Sequence, residues 1–218
     1  ITSTHNDLLF FTNFGKVYSI KAYEVPEAQR AAKGRAIINL LQLSQDEKVT
    51  AIIPLEKDQK GNLIMATRNG LIKKTDLTEF ASIRKVGKIA IKLVEGDKLI
   101  GVDLTDGTND ILIASNKGKC IRFNEKDVRV MGRDTQGVKS IQLDKNDYVI
   151  DMAVIKNDLQ FITITENGYG KRTNPEDYRV QSRGGKGVKA GNFNEKTGNL
   201  VALKVVHEDQ DLMLIADN

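Results

Sequence analysis

Cysteine occurs once in this chain and histidine twice. A single thiol, Cys120, excludes an intramolecular disulfide and a cysteine-rich zinc site, and its residue type reads as a small buried apolar group. His5 and His207 lie near opposite ends without metal-ligand spacing, and neither forms a recognisable nucleophile–base pair with the thiol. No catalytic residue and no metal ligand is therefore identified. Helical periodicity is scarce. No apolar run approaches the roughly eighteen residues of a membrane-spanning helix and no signal peptide is visible, so the expectation is a soluble chain with no membrane partner. A GxxxxGK[ST] phosphate loop is also missing, because the Gly-Lys pairs at Gly15, Gly87, Gly118, Gly170 and Gly185 are not followed by Ser or Thr. Gly185-x-Gly187-x-x-Ala190 matches a dinucleotide fingerprint formally but precedes no helix, and it is discounted.

What is present is repetition. The turn glycines Gly15, Gly70, Gly118 and Gly168 are separated by 55, 48 and 50 residues, and a second series, Gly34, Gly87, Gly137 and Gly187, opens GRAIINL, GKIAIKL, GVKSIQL and GVKAGNF. Self-similarity at this period marks blades, solenoids or arrays. The 218 residues read as one assembly of repeats at about 1–56, 57–105, 106–155 and 156–206, with 207–218 opening a fifth. The chain lacks an initiating Met and stops at Ala216-Asp217-Asn218, where earlier repeats continue into the turn glycine, so it reads as a fragment.

Within the second repeat, NLIMAT (62–67) and LIKKT (71–75) flank a glycine turn and read as a hairpin. KIAIKL (88–93) and KLIGVDL (98–104) flank Glu95-Gly96-Asp97 and read as another. The first repeat offers strands at 8–12, 17–20, 37–41 and 49–53, and the third at 111–115, 120–123, 138–143 and 148–154. The fold class is all-β: four-stranded blades in a propeller-like, incomplete ring, radial repetition being one way to protect sheet edges.

Charge is distributed by position. Lys and Arg total 33 against 29 Asp and Glu, for a net charge of +4, but the acids gather in one set of turns (Asp46-Glu47, Glu95 to Asp97, Asp144 to Asp147, Glu208 to Asp211) and the cations in the glycine loops. Stacked in register, these would form opposite rims. Between the hairpins each copy carries a carboxylate and an apolar residue (Glu24-Val25, Glu79-Phe80, Asp127-Val128, Asp177-Tyr178), the apolar member expected to pin the loop. An arginine follows: Arg30, Arg84, Arg133 or Arg183, close before the second glycine. These arginines either pair with the neighbouring carboxylates or face an anionic partner. The fourth loop, QSRGGKGVK, has three glycines, three cations and no acid, a composition that suits a phosphate backbone.

With these residues in view the chain resembles the C-terminal domain of DNA gyrase A. QSRGGKG at 181–187 resembles that family's QRRGGKG box, with Ser182 where the family usually has Arg. LLFFTNFGKVY (8–18), EVPEAQRAAKGRAIINLL (24–41), GKIAIKL (87–93), MGRDTQGVKSIQL (131–143) and TENGYGKRT (165–173) extend the likeness over essentially the whole chain. In the family the box belongs to the first of usually six blades, whereas ITSTHNDLLFF resembles the start of a second blade. QSRGGKG then corresponds to a box-like loop of the fifth.

The resemblance implies a β-pinwheel whose neighbouring blades exchange strands, with double-stranded DNA bent around a basic rim and little base specificity. It implies a non-catalytic part of a bacterial, cytoplasmic, nucleoid-associated type II topoisomerase that introduces negative supercoils. The partners implied are the rest of gyrase A and, in an A2B2 holoenzyme, gyrase B, where ATP and Mg²⁺ act; no cofactor is expected in this fragment. The DNA-binding candidates are Arg30, Lys33, Arg35, Arg84, Lys85, Arg133, Lys139, Arg183, Gly184, Gly185, Lys186, Gly187 and Lys189. Lys73, Lys74, Lys119, Arg122, Lys171 and Arg172 either widen the track or form a solvated strand face. The corresponding domain of topoisomerase IV and a protein-binding propeller are the alternatives.

Overall fold

Gly15, Gly70, Gly118 and Gly168 stand at φ of 72°, 82°, 80° and 80°, the left-handed geometry that glycine adopts without a Cβ penalty, and each turns a hairpin. The computed structural model describes residues 2–83, 85–156, 159–207 and 210–214. The first repeat holds β1 (Asp7–Thr12), β2 (Lys16–Lys21) and β3 (Val49–Leu55). The second holds β4 (Asn62–Thr67), β5 (Leu71–Asp76), β6 (Lys88–Ile89) and β7 (Leu99–Thr105). The third holds β8 (Asp110–Ser115), β9 (Lys119–Asn124), β10 (Val138–Lys139) and β11 (Val149–Ile155). The fourth holds β12 (Gln160–Thr165), β13 (Gly170–Thr173), β14 (Val188–Lys189) and β15 (Leu200–Val206). Of the segment read as opening a fifth repeat, residues 208–209 and 215–218 lie outside the described residues.

The sheets are antiparallel, and three of the four contain a strand from the following repeat. Their orders are β3-β1-β2-β6, β10-β5-β4-β7, β11-β8-β9-β14 and β13-β12-β15. The expectation that two hairpins complete one blade is thus corrected: β6, β10 and β14 leave their own repeats and close the blade before. They are also shorter than expected, two residues each. Beyond them the chain leaves the ladder, the N–H groups of Ala90 and Ile91 both converging on the Gly15 carbonyl at 2.8 and 3.1 Å.

Among the described residues no sheet contains the corresponding segment of the first repeat. Its expected strand at 37–41 is instead a 3-10 turn, Ile37–Asn39, in which the Asn39 N–H donates back to the Ala36 carbonyl at 3.0 Å. Backbone groups without a ladder partner close on themselves.

At the other edge of each sheet, β3, β7, β11 and β15 pack successively against one another. Between blades lies the core. Leu9, Phe11 and Val17 of the first meet Leu63, Met65, Leu77 and Phe80 of the second, with the Phe11 and Phe80 rings edge-to-face at 5.8 Å. Further clusters join the second blade to the third and the third to the fourth. Successive blades therefore bury their facing sides against one another, as stacked repeats do, while on the first blade Phe10, Tyr18 and Ile20 pack against Leu40 and Leu41 of the same repeat. Three of the four expected loop pins are buried (Phe80, Val128, Tyr178), whereas Val25 is exposed. Cys120 lies buried as expected, and burial pushes its thiol up to about 12.

Candidate nucleic-acid interface

The cationic loops hang from the exchanged strands. In the third repeat the chain reaches β5 of the second blade at Val130, bridged in parallel to Lys74, and the Met131 N–H donates to the Lys74 carbonyl at 2.8 Å. It makes the excursion Gly132 to Gln136 and returns at Gly137 to run antiparallel to Ile72 and Leu71. The fourth repeat copies each step: Val180 bridges Arg122, the Gln181 N–H donates to the Arg122 carbonyl at 2.8 Å, and β14 pairs with Cys120 and Lys119. Each basic loop thus sits on the edge of the preceding blade, across the sheet from the packed row of β3, β7, β11 and β15.

Two of the returning glycines are required by space as well as by φ. A β-carbon at Gly137 would meet the Ile72 carbonyl oxygen at 2.6 Å, and one at Gly187 the Cys120 carbonyl oxygen at 2.5 Å. The Gly184 N–H donates to the Ser140 carbonyl at 2.8 Å, and the Gly185 carbonyl accepts from the Gln142 N–H at 2.8 Å. These backbone groups of the box-like loop hold the blade junction, so the Gly184 N–H is not open to an anion.

The loop arginines also reach backward. Half-buried Arg133 donates through Nη1 to the Ile89 carbonyl at 3.1 Å, its Nε lying 3.6 Å from the Glu79 carboxylate. Arg183 donates through Nε to the Asp127 carbonyl at 3.1 Å and through Nη1 to the Lys139 carbonyl. Lys85 pairs with Glu24, holding that carboxyl below the usual range together with the Lys21 N–H. The pairing of loop cations with neighbouring carboxylates considered from the sequence therefore exists, but between successive repeats. Arg84 lies outside the described residues.

Among the described residues Arg30, Lys33, Arg35, Lys139, Lys186 and Lys189 are exposed and form no ion pair or side-chain hydrogen bond. Lys139 and Lys189 occupy one register, two residues after Gly137 and Gly187. Lys88 joins this group although the loop pattern does not single it out; its signal is the lysine directly following Gly87.

Four hairpin cations are engaged within the protein. Lys73 is wholly buried, its Nζ donating to the carbonyls of Ala90 at 2.8 Å, Thr135 at 3.3 Å, and Arg133. Lys74 donates to the Glu125 carbonyl at 2.8 Å. Lys119 pairs with Asp144 at 2.6 Å, and Arg122 with Asp110 at 2.9 Å. Lys171 and Arg172 are exposed, Arg172 donating to Gln160. The opposite-rim expectation is corrected as well. In the first three copies the acidic turn folds against the hairpin turn, through Asn13 to Lys48, Arg68 to Lys98 and Asn116 to Tyr148 backbone bonds of 2.8–2.9 Å; Glu208 to Asp211 lies partly outside the described residues. Glu47 and Asp97 are buried there as acceptors rather than displayed.

Among the described residues no helix is long and apolar enough to cross a membrane. A family model described as the DNA gyrase C-terminal domain, beta-propeller, matches residues 6–56, 61–106, 109–156 and 160–207. The DNA gyrase A protein of Escherichia coli (strain K12) is 46% identical over 218 residues, covering 100% of this chain and 25% of that protein. The Clostridium acetobutylicum protein of the same name is 48% identical over 216 residues, 99% of this chain and 26% of its own length. The chain thus spans about a quarter of the relatives it matches. A solved C-terminal domain of DNA topoisomerase IV superposes with a TM-score of 0.86 at 26% identity, over 95% of this chain and 65% of that one. A solved DNA gyrase A C-terminal domain gives 0.78 at 30% identity, over 95% and 68%.

Proposed function

The chain belongs to the DNA gyrase C-terminal domain family, and from that premise we propose that it binds double-stranded DNA without base specificity and bends it around the blade edges that carry the exchanged strands. The observation that carries this reading is the recurrence of exposed, unpaired cations on the exchanged strands and their loops, Lys88, then Lys139, then Lys186 and Lys189, with Arg30, Lys33 and Arg35 exposed in the corresponding segment of the first repeat. Lysines on an edge act on phosphates as point charges and carry no sequence information. Arg133 and Arg183 hold these edges in place through bonds to main-chain carbonyls.

The physical demand on such a surface is to curve a stiff polymer. Bending 20 to 30 base pairs by 40 to 90° costs on the order of 1 to 6 kcal/mol, which distributed phosphate contacts offset better than one loop. In the whole protein, wrapping would present a neighbouring DNA segment for strand passage and so support negative supercoiling by a cytoplasmic, nucleoid-associated type II topoisomerase. The remainder of gyrase A would supply cleavage, and gyrase B the ATP and Mg²⁺ chemistry in an A2B2 assembly. The superposition on a topoisomerase IV domain supports decatenation as a second reading.

The test is DNA affinity of the chain at 50 and 200 mM salt. If six to ten phosphates are contacted, affinity falls by roughly 10³ to 10⁵ between them. A salt-independent affinity, or one unchanged when Lys139, Lys186 and Lys189 are all replaced by Ala, removes the DNA track. Supercoiling against decatenation by the whole enzyme separates the two topoisomerase readings.

A further inference from the structure

Each exchanged segment carries exposed aliphatic side chains among its cations. Val130 and Val180 stand seven residues before Gly137 and Gly187 and are 54% and 55% exposed. The backbone fixes both, Val130 bridged to Lys74 and Val180 to Arg122. Each follows an exposed arginine, Arg129 or Arg179, that forms no ion pair or side-chain hydrogen bond among the described residues. On the first blade the aliphatic residues are Val86 and Ile89, 67% and 51% exposed and flanking Gly87 and Lys88. Ile89 takes the register that Lys139 and Lys189 hold on the next two blades.

The exposure belongs to the position. Val130 has an exchanged segment on the blade before it and on the blade after, Val180 only on the blade before, yet the two exposed fractions agree. Neither valine is needed to pin its loop, because Val128 and Tyr178, two residues earlier, are buried and do so. One exposed valine needs no explanation. A valine held at one register on successive blade edges, each time beside an unpaired arginine, is a repeated surface of mixed charged and apolar character. Its partner must offer anions and apolar patches at short, regular intervals. The backbone of duplex DNA does so whatever the sequence, since a deoxyribose, whose C2′ is a methylene, lies between successive phosphates.

We propose that Val130 and Val180, with Val86 and Ile89 on the first blade, pack against the deoxyribose of bound DNA while the cations beside them take its phosphates; the proposal rests on the DNA-binding reading above. Contact with the sugar, like contact with phosphate, carries no base information. It does distinguish the sugar. In RNA the 2′ position bears a hydroxyl that donates and accepts hydrogen bonds, and pressed against a valine that hydroxyl loses its water without gaining a partner. The aliphatic positions therefore supply a salt-independent part of the affinity and favour DNA over RNA. The cations supply the salt-dependent part.

The test compares the parent chain with a double variant, Val130→Ser with Val180→Ser, on DNA and RNA duplexes of one sequence at about 50 and 200 mM salt. Both positions are exposed, so the variant should keep the parent's circular dichroism and urea midpoint; where it does not, Val130→Ala with Val180→Ala gives the same readout. DNA binding should weaken about fivefold at both salt concentrations, leaving the salt slope unchanged. RNA binding should weaken by less than about twofold, so the preference for DNA narrows. The difference in duplex shape is common to both chains and cancels. A control, Val94→Ser with Val201→Ser, changes exposed valines outside the exchanged segments and should leave both affinities as they are. An unchanged DNA affinity, which would leave the valines to a protein partner, overturns the proposal. So does a loss shared by the control, a loss accompanied by a shallower salt slope, or an equal loss on RNA. A parent chain whose DNA affinity ignores salt removes the track and the sugar contact together; a steeply salt-dependent parent matched by the serine variant removes the sugar contact alone.

Discussion

The guanidinium of Arg183 donates through Nη1 to the main-chain carbonyl of Lys139, so the arginine of one repeat holds the exchanged strand of the repeat before it. Arg133 stands in the same relation to Ile89, at 3.1 Å. The lysine side chain on the far side of the first contact is exposed. A single junction therefore divides the two roles, arginine for geometry and lysine for the outer field.

That division separates two variants of the box-like loop. Arg183→Ala removes bonds to the Asp127 and Lys139 carbonyls and should lower stability by about 1–3 kcal/mol. Lys186→Ala should leave stability within about 0.5 kcal/mol and reduce the salt slope of DNA binding by about one. Urea denaturation and DNA titration at two salt concentrations measure both. An Arg183→Ala chain of native stability would show that the staple carries no weight.

The exchange glycines offer a contrast between conformational strain and strain plus collision. Gly187 (φ 71°) and Gly96 (φ 76°) share a left-handed backbone, but a β-carbon at Gly187 would lie 2.5 Å from the Cys120 carbonyl oxygen and one at Gly96 meets nothing within 4 Å. Gly96→Ala should cost about 1 kcal/mol, the conformational part alone. Gly187→Ala should cost several times that, because backbone on both sides must move. Equal losses would mean that β14 leaves the edge of the third blade without resistance.

Much of this arrangement is visible in the chain itself, and what is not has a definite cause. The hairpin glycines and the exchange glycines Gly87, Gly137 and Gly187 show their period because positive φ admits little else, reinforced at Gly15, Gly137 and Gly187 by a carbonyl oxygen within 2.6 Å of where a β-carbon would stand. The alternation of KIAIKL is the same whether its partner is β7 or β2, so the identity of the blade it completes is not a local property. Lys73 and Lys74 look like a solvated face because LIKKT alternates no differently from an exposed edge. The carbonyls that receive the Lys73 ammonium lie 17, 60 and 62 residues along the chain. Lys88, by contrast, is legible in the sequence, standing beside a glycine of the repeating series.

Acid should weaken the first blade through Glu47. Burial raises the pKa of this carboxyl, but bonds from the Ser44 N–H, the Thr12 hydroxyl and the Tyr18 hydroxyl, with Lys16 nearby, outweigh it and leave the pKa below the usual 4.5. A depressed folded pKa gives stability that is present above the unfolded value and lost as pH falls through the folded one. Glu47→Gln should therefore be less stable than the parent chain at pH 7, by about 1–3 kcal/mol. The difference should shrink below pH 4.5. A difference independent of pH would place the loss in packing rather than in the carboxylate.

Base should act in the opposite sense through Lys73. Burial lowers its pKa from 10.5 to about 8, Arg133 adding to the effect and Asp134 and Glu79 opposing it. Between those values the unfolded chain keeps the proton and the folded chain has released it, so the unfolded state binds more protons and stability rises with pH. Below pH 8 both states are protonated and the contribution is constant. Lys73→Met cannot titrate and leaves the Ala90, Arg133 and Thr135 carbonyls without their donor, so it should be less stable than the parent chain at pH 7 by about 1–3 kcal/mol. Urea midpoints from pH 7 to 10 should show that gap widening above pH 8, by up to about 3 kcal/mol for the full shift. A gap that narrows with pH would mean that Lys73 meets water in the folded chain, and that the junction it ties is open.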